Sequence, residues 1–282
     1  MTVHTHQTAP TQFVQAGGIR FAYRRFGKAG GVPLVCFMHF TGTMDYWDPA
    51  VTDGLAKDRE VILFNNAGVS SSSGTVPDTM EAMAADAATF VRGLGLDKVD
   101  ILGLSIGGFV AQAFALAEPD LCRRVILVGT GPRSGEGIAS LSPEAQAIFA
   151  RTYEHPLDVW LQIMFSTSET SQKAGREYMK RFQLRTEGRD PEVSDLVRTT
   201  QQAAIAAWGA PRENPYGYLN DIHQPTLVVN GKTDVIVYSV NSFILQQNLP
   251  DAHLILYPDS SHGALYQHPE LFVRHASIFL EQ

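Results

Sequence analysis

Val99-Asp100-Ile101-Leu102-Gly103-Leu104-Ser105-Ile106-Gly107-Gly108-Phe109-Val110-Ala111-Gln112 is the stretch from which the rest of the chain can be read. Its first half is a short apolar run with β-branched residues, and its second half is a small-residue pattern at helical spacing. That spacing predicts strand, sharp turn and helix in order. Glycines two residues before and after Ser105 remove the Cβ atoms that would collide with neighbouring backbone in so tight a turn. The serine is thereby pushed out at the strand's carboxyl end, strained, beside the free N–H groups that open the next helix. A nucleophile belongs there. The bare Gly-x-Ser-x-Gly pattern is common by chance, and the strand and helix on its two sides give it weight.

Working outward, the same alternation continues in both directions. Thr11 to Ala16 and Ile19 to Phe26 read as a hairpin through Gly17-Gly18. Val32 to Met38 is continuously apolar, as a strand covered on both faces should be, and a helix is expected around Asp45 to Lys57. Val61 to Phe64 reads as a strand. Asp78-Thr79-Met80-Glu81 then opens a helix with apolar residues at Met80, Met83, Ala84, Ala87, Phe90 and Val91. Downstream, strands are expected at Arg124 to Gly129, Pro225 to Asn230 and His253 to Tyr257, with helices near Tyr238 to Gln247 and from Pro269 to Leu280. Such alternation implies an α/β fold with a doubly wound, mostly parallel sheet. Between Pro132 and Asp221 only helical patterns occur, opened by Ser142-Pro143-Glu144, by Pro156 and by Asp190-Pro191-Glu192. Residues 1–131 and 222–282 are therefore expected to form the core domain, and residues 132–221 a helical cap inserted after the sixth strand, above the edge where Ser105 emerges.

The composition narrows the function. The chain has 282 residues, 44% of them hydrophobic, which is ample for a large core. A net charge of −7, with no basic run longer than Arg123-Arg124 or Lys180-Arg181, argues against nucleic acid as a partner. Cys36 and Cys122 fall in separate expected strands and read as buried free thiols of a reducing compartment. No apolar run approaches the ~20 residues that cross a bilayer, and Met1 to Gln7 lacks a basic region leading into an apolar stretch. A cytoplasmic protein without a membrane partner, monomeric or homodimeric, is expected. His4 and His6 are expected in a disordered polar tail and not as a metal clip. No metal or cofactor is expected. Gly103 to Gly108 lacks the dinucleotide spacing, and Gly231-Lys232-Thr233 lacks the upstream glycine of a phosphate loop.

A serine hydroxyl is a weak nucleophile until a base takes its proton and a third group holds that base. Asp234 follows the strand Thr226 to Asn230, and His262 follows the strand Leu254 to Tyr257, so both reach the sheet edge that carries Ser105. Asp259 competes for the acid's place, and His39, His253, His268 and His275 for the base's. The order Ser105, Asp234, His262 is the one expected of a serine triad on a doubly wound sheet.

With these residues in hand, the chain resembles the α/β-hydrolase fold family from Ile19 to Leu280. The resemblance implies that the turn after the third strand, here His39-Phe40-Thr41, supplies one oxyanion-hole N–H from Thr41, and that Ile106 supplies the other. Phe40 stands where the family has glycine and is expected against the pocket. Asn65 stands where the family's acidic turn has aspartate. Relatives with an aspartate nucleophile, the dehalogenases and epoxide hydrolases, are set apart by Ser105. The expected activity is cofactor-free hydrolysis of a carboxylic ester or lactone of a small to medium, largely apolar small molecule through an acyl-enzyme. Phe40, Trp160, Met164 and Trp208 are expected to contact the substrate. Gly-Leu-Ser-Ile-Gly-Gly-x-x-x-Gln also resembles the elbow of enol-lactone hydrolases. The same triad serves the alternatives, cleavage of a carbon–carbon bond in a diketone-like acid and a perhydrolase or haloperoxidase-like reaction. A non-catalytic ligand receptor on the same fold is the alternative of another class.

Overall fold

Eight strands form one sheet in a computed structural model of the chain, in which residues 4–155 and 157–282 are described. They are β1 (Gln12–Ala16), β2 (Ile19–Gly27), β3 (Leu34–Phe37), β4 (Glu60–Phe64), β5 (Val99–Leu104), β6 (Cys122–Val128), β7 (Thr226–Gly231) and β8 (Ala252–Tyr257), in the spatial order β1-β2-β4-β3-β5-β6-β7-β8. The pairs β1–β2 and β2–β4 are antiparallel and every other pair is parallel, so the expected doubly wound, mostly parallel sheet is the one found. At its centre Ile101 pairs with Val35 on one side and Val125 on the other.

Every residue of β3 and β5 is buried, because helices cover both faces. Alternate residues serve opposite layers. Val35 and Phe37 join Phe64, Phe90 and Phe114 beneath α2 (Met80–Gly93) and α3 (Ile106–Ala117), while Leu34 and Cys36 join Trp47, Leu55 and Phe272 beneath α1 (Pro49–Ala56) and the C-terminal helix Pro269–Glu281. The Phe64 and Phe90 rings stack with centroids 4.5 Å apart. Cys36 and Cys122 are free and buried, and burial pushes both thiols up. No helix among the described residues is long and apolar enough to cross a membrane.

Between β6 and β7 lie α4 (Pro143–Phe149), α5 (Asp158–Met164), α6 (Glu169–Phe182), α7 (Asp195–Gly209) and a 3-10 turn at Gly217–Asp221, with no strand among the described residues. After β7 come α8 (Ser239–Asn248), then β8, α9 (Ala264–Gln267) and α10 (Pro269–Glu281). Several local expectations need correction. The helix expected from Asp45 to Lys57 is a 3-10 turn at Met44–Tyr46 followed by α1, because Pro49 forces Asp48 into extended backbone, where its carboxylate caps the Ala50 N–H. The opening expected at Pro156 lies outside the described residues. α6 adds to the expected helices: Ser168 caps it through the Ser171 N–H, and Glu169 sits in its first turn. Asp190 does not open a helix. Its carboxylate is occupied by Asn65 Nδ2 at 2.9 Å and Ser71 Oγ at 3.2 Å, and α7 starts later, behind Ser194.

The N-terminal segment is also not a loose tail from His4 onward. His6 is buried, with Nδ1 3.0 Å from Thr52 Oγ1 and its N–H donated to Asp53 at 2.7 Å. Arg185, just past α6, donates from one nitrogen to the carbonyls of His6, Gln7 and Ala9. Beside it Arg24 of β2 donates to Asp45 at 2.5 Å and to the Gly188 carbonyl at 3.0 Å, while the Asp190 N–H donates to Asp45 at 2.6 Å. This buried network joins leader, sheet and inserted helices. Removing one member of such a pair typically costs about 3–5 kcal/mol, since the other charge is left buried alone.

Burial, followed by the positive charge of Arg24, pushes the His6 imidazole from 6.5 down to about 3. The folded protein therefore keeps His6 neutral while the unfolded chain protonates it, so this stability is complete above pH 6.5 and is lost as the pH falls toward 3. Each pH unit in that window costs about 1.4 kcal/mol, or about 2 kcal/mol by pH 5. Urea unfolding at pH 7 and pH 5 is expected to show His6→Gln losing about 2 kcal/mol less between the two conditions than the unsubstituted chain. Equal losses would remove His6 from the acid response.

Candidate active site

Ser105 joins β5 to α3 with φ 57° and ψ −120°, a conformation that side-chain-bearing residues rarely adopt. Hydrogen bonds hold it there. Its N–H donates to the Val128 carbonyl at 2.9 Å, and its carbonyl accepts from the Gly108 N–H at 2.8 Å and the Thr130 hydroxyl at 2.9 Å. A Cβ added at Gly103 would run into the Gly107 carbonyl, and one added at Gly107 into the Phe37 carbonyl, so both positions require glycine. Ile106 opens α3, and its N–H has no acceptor among the described residues.

The loops after β7 and β8 bring Asp234 and His262 together. Both are buried, and Nδ1 of His262 lies 2.8 Å from one carboxylate oxygen of Asp234. The other oxygen accepts the N–H groups of Ile236 at 2.8 Å and Val237 at 3.0 Å, which fixes the carboxylate's orientation. A carboxylate only accepts, so Nδ1 is the donor of this bond, and in the neutral imidazole the lone pair is then on Nε2. Ser105 and His262 line one cavity of about 1090 Å³. No hydrogen bond joins the two side chains here; such contacts commonly tighten only around a bound substrate. The residues flanking His262 are tied to the end of α5, Ser261 through its hydroxyl to the Ile163 carbonyl at 2.8 Å and Gly263 through its N–H to the Met164 carbonyl at 2.7 Å.

The competitors are engaged elsewhere. Asp259 accepts from the hydroxyls of Ser166 and Ser168, both at 2.6 Å, and these bonds hold its exposed carboxyl below the usual range. His268 pairs with Ser260 at 3.0 Å, His275 with the Tyr257 hydroxyl at 2.8 Å, and His253 packs edge-on against Phe279. His39 directs Nδ1 at the Phe40 carbonyl at 2.9 Å, and burial pushes it down to about 4, so it stands neutral on the cavity wall.

Of the four residues expected to contact substrate, Phe40, Trp160 and Met164 line the cavity, with the Trp160 ring 5.1 Å from that of His39. Trp208 does not. It is buried with its ring stacked on Phe109 of α3 at 5.5 Å, because the face of α7 that carries it turns toward α3 and away from the cavity. The Gly42 N–H closes a turn onto the His39 carbonyl at 3.0 Å, leaving Thr41 at φ 54°. The Thr41 N–H donates to the side-chain oxygen of Gln201 on α7 at 2.7 Å, a partner that no local pattern announces. Asn65 accepts from the Met44 N–H at 3.0 Å and donates to Asp190, and an aspartate there would face that carboxylate with its own charge. At the outer part of the cavity Arg151, Arg189 and Arg198 have no carboxylate within 4.0 Å among the described residues.

Over residues 32–269 the chain matches the alpha/beta hydrolase fold family. It belongs to that family. An alpha/beta hydrolase fold protein from Chitinophaga pinensis is 41% identical and superposes with a TM-score of 0.92, covering 99% of this chain and 100% of that one. A 2-hydroxy-6-oxo-6-phenylhexa-2,4-dienoate hydrolase of Burkholderia cepacia is 27% identical over 230 residues, 80% of this chain and 78% of the relative. A pimeloyl-[acyl-carrier protein] methyl ester esterase of Nitrosomonas europaea is 26% identical over 237 residues, 80% of this chain and 87% of the relative.

In this alpha/beta hydrolase the two candidate acids are separable by substitution. Asp234→Asn is expected to lower kcat for an activated ester by about 10³- to 10⁴-fold, since an amide favours the wrong imidazole tautomer. Asp259→Asn is expected to change kcat by less than about threefold, as befits an exposed structural hydrogen bond. The reverse ranking would transfer the role to Asp259.

Proposed function

We propose that the chain is a serine hydrolase acting on carboxylic esters or lactones, with Ser105 as nucleophile, His262 as base and then acid, and Asp234 orienting the imidazole. The observation that carries this reading is the 2.8 Å Asp234–His262 bond, whose histidine lines the same cavity as a serine held at positive φ. Ser105 Oγ adds to the carbonyl carbon while its proton passes to His262 Nε2. The tetrahedral oxyanion is held by the N–H groups of Ile106 and Thr41, each typically worth about 3 kcal/mol in the transition state. The imidazolium then protonates the departing alkoxide as the carbon–oxygen bond breaks, leaving an acyl-enzyme that water cleaves by the same steps.

In this reading residues 132–221 act as the cap, and Phe40, Trp160 and Met164 select a small to medium apolar acyl group. A second reading, carbon–carbon cleavage in a diketone-like acid by the same triad, is favoured by Arg151, Arg189 and Arg198 on the cavity wall, which suit a carboxylate.

Mixing the enzyme with a p-nitrophenyl ester is expected to release a burst of nitrophenol stoichiometric with protein, absent in Ser105→Ala. Residual turnover in that variant within about tenfold of the unsubstituted enzyme, a loss of only ~1.4 kcal/mol, would overturn the assignment. A binding protein on this fold would give no burst. Across a series of acyl lengths, Trp160→Ala is expected to move the optimum to longer chains. A profile indifferent to acyl length and to the substitution would remove the cap as selector, and faster turnover of a diketone acid would favour the second reading.

A further inference from the structure

The oxyanion hole inferred above has one free donor and one taken. Ile106 offers an N–H with no acceptor among the described residues, whereas the Thr41 N–H donates to Gln201 at 2.7 Å. Gln201 is 3% exposed, and its oxygen is not shared with Ile106. Thr41 is β-branched and stands at φ 54°, so the direction of its N–H is set by a turn that is unfavourable for threonine. Gln201 belongs to α7, which also carries Arg198, Gln202 and Ile205 on the cavity wall and is pinned near its end by Trp208 on Phe109.

We propose that Gln201 is a latch on the oxyanion hole, an internal acceptor that the substrate's carbonyl oxygen must displace from Thr41 during acylation. The proposal rests on the serine-hydrolase reading. An amide oxygen is a better acceptor than the oxygen of an ester, so a ground-state ester does not win the Thr41 N–H from Gln201. The oxyanion of the tetrahedral intermediate does, because hydrogen bonds to an ionised acceptor are about twice as strong as neutral ones. Thr41 thus enters the reaction only as charge develops, and its stabilisation falls on the transition state and not on the bound substrate. Gln201 is a positioning residue that acts through Thr41 and has no bond to make or break with the acyl group.

A strut that merely props the Thr41 turn would behave oppositely on substitution. Gln201→Met keeps the length and removes the acceptor. Gln201→Glu keeps the acceptor and adds a charge that both grips the N–H and repels the oxyanion. With p-nitrophenyl butyrate, the latch requires Gln201→Met to lower KM and raise kcat/KM by about 3- to 10-fold, and Gln201→Glu to lower kcat/KM by at least about 10-fold. Affinity for a trifluoromethyl ketone, which forms the tetrahedral adduct, should follow kcat/KM in both variants. A fall in kcat for Gln201→Met with Gln201→Glu near the parent value would establish a strut and overturn the latch. Should Gln201→Met fail to fold in a thermal melt, Gln201→Glu decides alone, its loss supporting the latch and its retention overturning it. Labelling of the unsubstituted protein by a fluorophosphonate separates the two levels. No adduct on Ser105 overturns the hydrolase reading and the latch together, whereas an adduct combined with strut kinetics overturns the latch alone.

Discussion

Ser105 sits in backbone that costs about 1–3 kcal/mol to hold, and the rest of the structure supplies what holds it. β5 delivers it from the middle of the sheet, where every residue is buried, and β6 and Thr130 grip its amide on both sides. Gly103 and Gly107 let strand and helix approach so closely that another side chain would meet backbone at either position. The geometry of the site is thus a property of the sheet, and the loops after β7 and β8 need only bring Asp234 and His262 to an edge that is already set.

The inserted helices are not a loosely hung cover. They are tied to the core at the His262 loop through the last carbonyls of α5, at β2 through the Arg24, Asp45 and Asp190 network, and at the Thr41 turn through Gln201. Two of these ties lie against residues assigned chemical roles above. Position and mobility of the inserted segment are therefore coupled to the proposed chemistry itself and not only to access.

The sheet and the convergence of Ser105, Asp234 and His262 on one of its edges were legible because each is announced locally, by an apolar strand followed by a loop carrying one chemical group. Spacing could not tell which of Asp234 and Asp259 meets His262; Asp234 does, while Asp259 takes the hydroxyls of Ser166 and Ser168 from more than 90 residues away. Trp208 shows a related limit. Helical spacing reveals that a residue is on the buried stripe of α7, but not whether that stripe meets substrate or α3. Asp190 carries a helix-opening pattern that a tertiary partner, Asn65, overrides. Gln201 and Thr41 are separated by 160 positions, and nothing near either one foretells the contact. His6 stands in a polar stretch, and it is buried beside distant partners, Thr52 and Asp53.

The grip of Arg185 on the carbonyls of His6, Gln7 and Ala9 also has a bearing on biosynthesis. The partners are separated by 176 to 179 positions, so this joint can close only after Arg185 has been synthesised, long after the His6 partners Thr52 and Asp53. At roughly 5–20 residues per second that is a delay of about 10–35 s between synthesis of the two sides of the joint. α10, by contrast, packs on the core by its own apolar face.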